Sequence, residues 1–316
     1  MFALRCLGVS LSFFLLSYAA SSVAVMRSWR LARRAGKHLS AHRLSDMLFI
    51  LRGLPLMAAA LLTVAFVVPS FLLLEPRVVL EPVGEIPLFM GAFCLLLLGA
   101  GVANAITTHR KTSRSVDGWM RGATKASGCY PVPVFRIRPS APALAVAGLR
   151  VPRMLLSDAA AAVLTNRELE TALRHELVHV RRRDNLKKLF FRFCALPGMA
   201  GLESAWSQAS EMAADDAAVS STTEALDLAS ALIKLSRFAP VQPVEGLAAS
   251  LLQSSGSILN ARVERLVTWD QSRVTNPARL IPWYVAPGLF GAVFCVTMNY
   301  GLVLTRMHQL TEWLVR

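Results

Sequence analysis

Long apolar runs alternate with strongly basic segments over the first third of the chain. The first run extends from Cys6 to Met26 and is long enough to cross a bilayer whose core is about 30 Å thick. Two further runs, at 47–74 and 87–107, have the same character, and a fourth follows much later at 283–304. This pattern predicts about four transmembrane helices, three of which come early in the chain.

Basic residues flank these runs unequally, which predicts an orientation. Clusters of Arg and Lys follow the first and third runs. The loop after the second run instead has three acidic residues, Glu75, Glu81 and Glu85, and one basic residue, Arg77. Because basic loops stay in the cytoplasm, the N-terminus and this acidic loop are predicted to face outward. A cleaved signal peptide is the alternative for the first run, since Arg5 precedes it. The basic cluster that follows the run favours an uncleaved span.

The chain becomes mixed in polarity at 112–280, which predicts a domain outside the membrane. Short β-rich stretches at 132–138, 143–147 and 153–156 predict three strands, with Gly148 in the turn between the last two. An exposed edge strand of such a small sheet could hold an extended peptide by main-chain hydrogen bonds.

An H-E-x-x-H motif lies at 175–179 in this domain. Thr165 and Glu168 form a capping-box pattern before it, and no helix breaker follows until Pro197, so one continuous helix is predicted. Residues four apart share a helix face, so the two imidazoles could bind one metal ion. Glu176 flanks that face and could act as a base toward water at the metal. The alternative is a solvated helix face that happens to carry two His.

A later acidic stretch supplies the remaining candidate ligands. Catalytic zinc sites use three protein ligands and keep one position open. His175 and His179 would be two of them, and Glu211, on the first of two helices predicted at 201–239, would be the third. Asp215 lies four residues later on the same face and would orient a ligand His from outside. The alternative is an ordinary exposed acidic pair.

Three charged or serine-rich features receive weaker interpretations. The basic stretch at 181–188 predicts either a helix end at the membrane surface or a docking face for an acidic substrate, and Asp184 within it is predicted to pair locally. The segment 245–270 is predicted to be helical, with a serine-rich interruption at 254–257 that could be cleavable or mobile. Arg262 and Arg265 are predicted to lie on its solvated face.

Composition supports a membrane protein. The chain has 316 residues, 54% of them hydrophobic, and a mean hydropathy of +0.46, which is too apolar for an ordinary soluble domain. Its net charge of +14 is explained by basic loops beside anionic lipid. No motif for direct nucleic-acid binding accompanies that charge. The five scattered Cys predict neither a disulfide framework nor a cysteine metal site.

The combined motifs resemble those of the BlaR/MecR-type membrane metallopeptidases. The resemblance rests on H-E-L-x-H-x-R-R-x-D-N from His175 and E-x-x-A-D-D-A-A from Glu211, and covers roughly 45–305. H-E-x-x-H followed by E-x-x-x-D is the gluzincin pattern. The resemblance implies a cytoplasmic zinc peptidase domain flanked by transmembrane helices. HtpX-type quality-control proteases share the zinc pattern and remain an alternative.

The predicted fold is a mainly α membrane protein with about four transmembrane helices and a cytoplasmic zincin-like α+β metallopeptidase domain. Its predicted parts are a membrane region at 1–111 with three spans, the peptidase domain at 112–280, and a last span with a short tail at 281–316. A C-terminal sensor domain of the kind found in antibiotic receptors is not expected.

The predicted activity is zinc-dependent endoproteolysis in transmembrane signalling, with Glu176 as the catalytic base. The predicted substrates are the chain itself or a cytoplasmic regulator such as a transcriptional repressor. The alternatives are a quality-control protease and a non-catalytic relay with a structural zinc. The predicted location is a bacterial-type inner or plasma membrane, in contact with lipid, and the sequence leaves a homo-oligomer open.

Overall fold

The chain forms a helical bundle and a small α+β domain packed against one end of it. The prediction of a mainly α membrane protein with an α+β domain is confirmed. The computed structural model describes residues 2–35, 39–76, 84–126, 130–138, 142–194, 198–237, 249–250, 256–270 and 294–315.

Three segments of the described chain are long and apolar enough to cross a membrane: Phe2–Trp29, Ala41–Leu74 and Glu85–Met120. They correspond to the three spans predicted early in the chain. The helices are α1 (Phe2–Ala35), α2 (Ala41–Leu62) with its continuation α3 (Val68–Leu74), and α4 (Glu85–Met120).

The fourth predicted span, 283–304, falls largely outside the described residues, which resume at 294. From there the chain leads into helix α11 (Tyr300–Val315). This helix packs against α3 and the turn before it.

Pro69 accounts for an irregularity between α2 and α3. Proline lacks an N–H, and its ring crowds the carbonyl four residues earlier. The chain responds with a π-helical turn at Thr63–Val67. Pro69 has no N–H to donate to the Ala65 carbonyl. The Tyr300 hydroxyl donates a hydrogen bond to that carbonyl at 2.6 Å. This π-helical turn is therefore also a contact point for α11.

The α+β domain contains a sheet of five strands in the order β1-β2-β4-β3-β5. The β2–β4 pair is parallel and the other three pairs are antiparallel. The three predicted strands are confirmed as β2, β3 and β4. The strands are β1 (Thr124–Lys125), β2 (Val134–Ile137), β3 (Leu144–Ala147), β4 (Arg153–Ser157) and β5 (Ala249–Ser250).

Three helices of this domain pack on the sheet around one apolar core, whereas the two that follow the motif helix pack mainly on the bundle. Residues of β2, β3 and β4 contact buried Leu and Ala side chains of α6, α9 and α10 in that core. The two helices predicted at 201–239 are confirmed as α8 and α9. The helices are α5 (Asp158–Val163), α6 (Asn166–Arg182), α7 (Asp184–Phe193), α8 (Ala200–Ala218), α9 (Thr222–Ser236) and α10 (Gly256–Val267).

Two predictions about helix continuity are wrong. The helix expected to run on toward Pro197 breaks at Arg183, which adopts a left-handed conformation with φ 55° and separates α6 from α7. The segment 245–270 is not helical throughout, because residues 249–250 form β5 against β3. Pairing with a distant strand overrides local helix propensity in such short stretches.

Polar contacts join the domain to the bundle. Arg52 of α2 is only 2% exposed and donates to Glu203 of α8 at 2.8 Å and to the Cys194 carbonyl at 2.9 Å. At the start of α2, Asp46 accepts a hydrogen bond from Arg182 of α6 at 3.1 Å. Because buried charge must be paired, these contacts fix α2 against the helices of the domain.

Gly148→Ala should destabilise the protein by about 1–3 kcal/mol. Gly148 has φ +98°, and an added Cβ would lie 2.3 Å from the Val151 carbonyl oxygen. Gly201→Ala is the matched control, because Gly201 lies in α8 with open space around it; a change below about 1 kcal/mol is expected there. Thermal unfolding of the purified protein measures both, and equal stability of the two variants would contradict the turn geometry.

Candidate metal centre

Helix α6 is anchored at its first turn. Thr165 and Glu168 form the predicted capping box, with the Thr165 N–H donating to Glu168 at 2.8 Å. Lys234 of α9 also binds the Glu168 carboxylate at 2.7 Å. Burial raises the pKa of Glu168, but hydrogen bonds from Lys234 and Ser230 outweigh it and lower the pKa to about 2. This fixed charge holds α6 against α9 and orients the motif.

The three candidate ligand side chains, two from α6 and one from α8, converge on one point. The Nε2 atoms of His175 and His179 lie 3.2 Å apart. Each also faces a carboxylate oxygen of Glu211, at 3.6 and 3.7 Å respectively. Tetrahedral ligands at the usual zinc bond lengths lie about 3.3–3.5 Å from one another, so these three donors could hold one ion.

Each motif His has a carboxylate oxygen within 3.0 Å of its other ring nitrogen. Asp215 lies 3.0 Å from His175 Nδ1, which is the position predicted for it. Asp184 lies 2.7 Å from His179 Nδ1 and also accepts a hydrogen bond from Ser210 at 2.8 Å. A carboxylate on Nδ1 fixes the ring and leaves Nε2 directed at the centre.

Arg262 completes this charge network. It is 1% exposed, donates to both oxygens of Asp215 at 2.8 and 2.7 Å, and lies 3.0 Å from Glu211. The prediction that Arg262 lies on a solvated face is therefore wrong. The face of α10 that carries Arg262 lies against the carboxylates of α8. Arg265 of the same helix pairs with Asp216 of α8 at 2.6 Å.

Glu176 is fully buried beside this network. Neither of its carboxylate oxygens has a hydrogen-bond partner among the described residues. Burial raises the pKa of Glu176 to about 8. Burial also raises the pKa of Glu211, but Arg262 outweighs it and lowers that pKa to about 2. The two Glu side chains thus have different protonation, with Glu211 anionic and Glu176 able to take up and release a proton near neutral pH.

A cleft of about 640 Å³ opens on one side of His179. The turn after β3, with Gly148 and Leu149, forms one wall, and Asn185 and Leu189 of α7 form another. Asn185 donates to the Val146 carbonyl at 3.2 Å and so ties the end of β3 to α7. A substrate chain could reach the centre through this cleft.

Residues 135–266 match a family model described as BlaR1 peptidase M56. This part of the chain is therefore similar to M56 peptidases, and the α+β domain that contains it is termed the M56 domain. The match spans every residue of the candidate centre, from His175 to Arg262. Together with the apolar helices it supports a BlaR1/MecR-type membrane metallopeptidase. No curated protein matches the chain significantly.

A metallopeptidase family implies a metal cofactor, and the residues of this M56 domain fit one. The donor set is two imidazoles and one carboxylate, and all three donor atoms lie within 4.8 Å of one another. Both oxygens of the neighbouring Glu176 remain buried and unpartnered within the described structure. Such a pocket is costly to leave without a polar occupant.

Sequence reasoning missed two residues of the M56 site, Asp184 and Arg262. Asp184 was predicted only to pair locally, and its position five residues after His179 indicates a contact with that His only once the helix break at Arg183 is known. The left-handed turn there returns Asp184 toward His179. Arg262 carried no local signal, because its partners lie on another helix.

Asp184→Asn should weaken metal binding by the M56 domain about 10–100-fold, because the amide orients the His179 ring less firmly than a carboxylate does. Chelator competition on the purified protein measures the affinity. Asp158→Asn is the control, since Asp158 is 55% exposed and pairs with Arg136 on the surface. Equal affinity in the two variants would show that Asp184 does not orient His179.

Proposed function

We propose that the chain is a membrane-embedded zinc endopeptidase whose catalytic centre consists of His175, His179, Glu211 and Glu176. The observation that carries the proposal is the convergence of three donor atoms within 4.8 Å beside a buried, unpartnered carboxylate. Two imidazoles and one carboxylate are a common donor set for catalytic zinc. Asp215 and Asp184 are positioning residues in this proposal.

Bound zinc would supply Lewis acidity at the scissile carbonyl and make water more acidic. Glu176 accepts a proton from the attacking water and later donates it to the leaving amine nitrogen. Its burial supports both roles, since the raised pKa allows the protonated form to persist until the amine leaves. A structural zinc would need no such acid–base group beside it, which argues against a non-catalytic relay.

The proposed substrates are extended peptide segments that pair with strand β3. In the structure β5 of the same chain takes that position, with Ala145 opposite Ser250 and Val146 opposite Ala249. Val146 also lines the cleft beside His179. This arrangement supports self-cleavage near β5 as one reaction of the enzyme. A cytoplasmic regulator that presents a similar strand would be the second substrate.

The centre is proposed to face the cytoplasm of a multi-pass protein in a bacterial-type inner or plasma membrane. The M56 domain contacts the bundle at the end where α1 finishes and α2 begins. The basic residues between those helices support a cytoplasmic position for this end.

Glu176→Gln should retain zinc but lower peptide cleavage by about 10²–10⁴-fold, because the amide cannot take up the proton. Glu170→Gln is the matched control, on the same helix with a side chain that is 68% exposed, and should cleave normally. The measurement is zinc content together with cleavage of casein and of the chain itself. Full activity of Glu176→Gln would exclude the proposed mechanism, whereas loss of zinc from it would assign Glu176 to the ligand set.

The orientation is tested with a reporter enzyme that works only outside the cytoplasm. Fused after Lys125, at the end of β1, the reporter should be inactive; fused after Pro76, beyond α3, it should be active. The reverse pattern would place the M56 domain outside the cell.

A further inference from the structure

A second cluster of His and carboxylate side chains lies at the opposite end of the helical bundle. Glu75 follows the end of α3, and His308 and Glu312 lie one turn apart on α11. Asp46 contacts the M56 domain, and the helical segment from Asp46 to Glu75 rises about 1.5 Å per residue. The cluster is therefore about 40 Å from the domain along that axis.

The donor atoms of this cluster are spaced as metal ligands are. His308 Nε2 lies 3.6 Å from Glu75 Oε2 and 3.6 Å from Glu312 Oε1. Both distances are too long for a hydrogen bond. They equal the 3.6 Å between His175 Nε2 and Glu211 in the candidate metal centre. They are also close to the spacing of about 3.3–3.5 Å expected between tetrahedral zinc ligands.

An ordinary surface pair in the same protein has a different geometry. His42 and Asp46 are also four residues apart on a helix, but their Nδ1 and Oδ2 atoms lie 3.1 Å apart, at hydrogen-bond distance, and both side chains are largely exposed. Glu75 and His308, by contrast, are only 6% and 14% exposed. Two of the three side chains of the cluster are therefore mostly buried, and the third, Glu312, is 48% exposed.

A basic side chain lies on one side of the cluster. Glu75 Oε1 lies 3.0 Å from Arg5 of α1, which balances one of the two carboxylates. The His308 ring faces both carboxylates with its Nε2 atom. Glu211 in the candidate metal centre has a similar arrangement. Arg262 lies 3.0 Å from it, and its carboxylate also faces the His side chains. A cation between the three donors would balance the second carboxylate and bind the His308 imidazole.

We propose that Glu75, His308 and Glu312 form a second metal site, which binds a divalent transition-metal ion such as Zn²⁺. One imidazole nitrogen with two carboxylate oxygens suits such an ion better than Mg²⁺ or Ca²⁺, which take oxygen ligands. Because its ligands come from two separate segments, the bound metal clamps α11 to the end of α3. The site is distinct from the M56 centre, and its existence does not depend on proteolysis.

The test is zinc binding by the full-length protein in detergent micelles, stripped of metal and then titrated with Zn²⁺. Bound zinc per chain is counted by elemental analysis. The wild type should bind two ions, His308→Ala one, and His175→Ala one. The affinity of the second site should fall by more than about 100-fold in His308→Ala, since a lost ligand costs more than a lost outer partner.

His42→Ala is the control, because it removes a His–carboxylate pair without a third donor, and it should still bind two ions. Glu312→Gln gives an independent second variant, as this side chain is 48% exposed and its replacement should not disturb folding. The zinc that remains in the M56 domain of His308→Ala reports that the variant is folded. Two ions bound with unchanged affinity by both His308→Ala and Glu312→Gln would overturn the proposal. Loss of the second ion from His42→Ala would also overturn it, by showing adventitious surface binding.

Discussion

The charge balance around Arg262 is the constraint on which the candidate centre depends. Four acidic side chains, Glu176, Asp184, Glu211 and Asp215, are buried within a few ångströms of the two motif His residues. Burial of so many carboxylates is costly unless positive charge is buried with them. Arg262 of α10 supplies part of it through Asp215 and Glu211, and a metal ion would supply more.

This charge balance requires helices from separate parts of the chain to pack together around the candidate centre. The motif helix, the acidic helix α8 and the basic helix α10 are separate in sequence, and none can satisfy its polar residues alone. The apolar core under the sheet brings α6 and α10 together through contacts with α9. Hydrophobic packing and charge pairing therefore act in the same direction here.

The membrane helices form part of the same structure. Arg52 of α2 binds Glu203 at the start of α8, the helix that carries Glu211 near its other end. Asp46 of α2 binds Arg182 at the end of α6, the helix that carries His179. The contacts of α2 thus reach both helices that carry candidate metal ligands. The Glu75 cluster lies at the far end of that helix.

Local features of the sequence determined the spans, the strands β2 to β4, and the capped helix that carries the motif. Each depends on hydropathy, periodicity or hydrogen bonds within a few neighbouring residues, so each could be predicted. Tertiary structure alone decided that Asp184 orients His179, that Arg262 is buried, that residues 249–250 pair with β3, and that Glu75 meets His308. These features depend on which distant segments pack together, and no local pattern encodes such a contact.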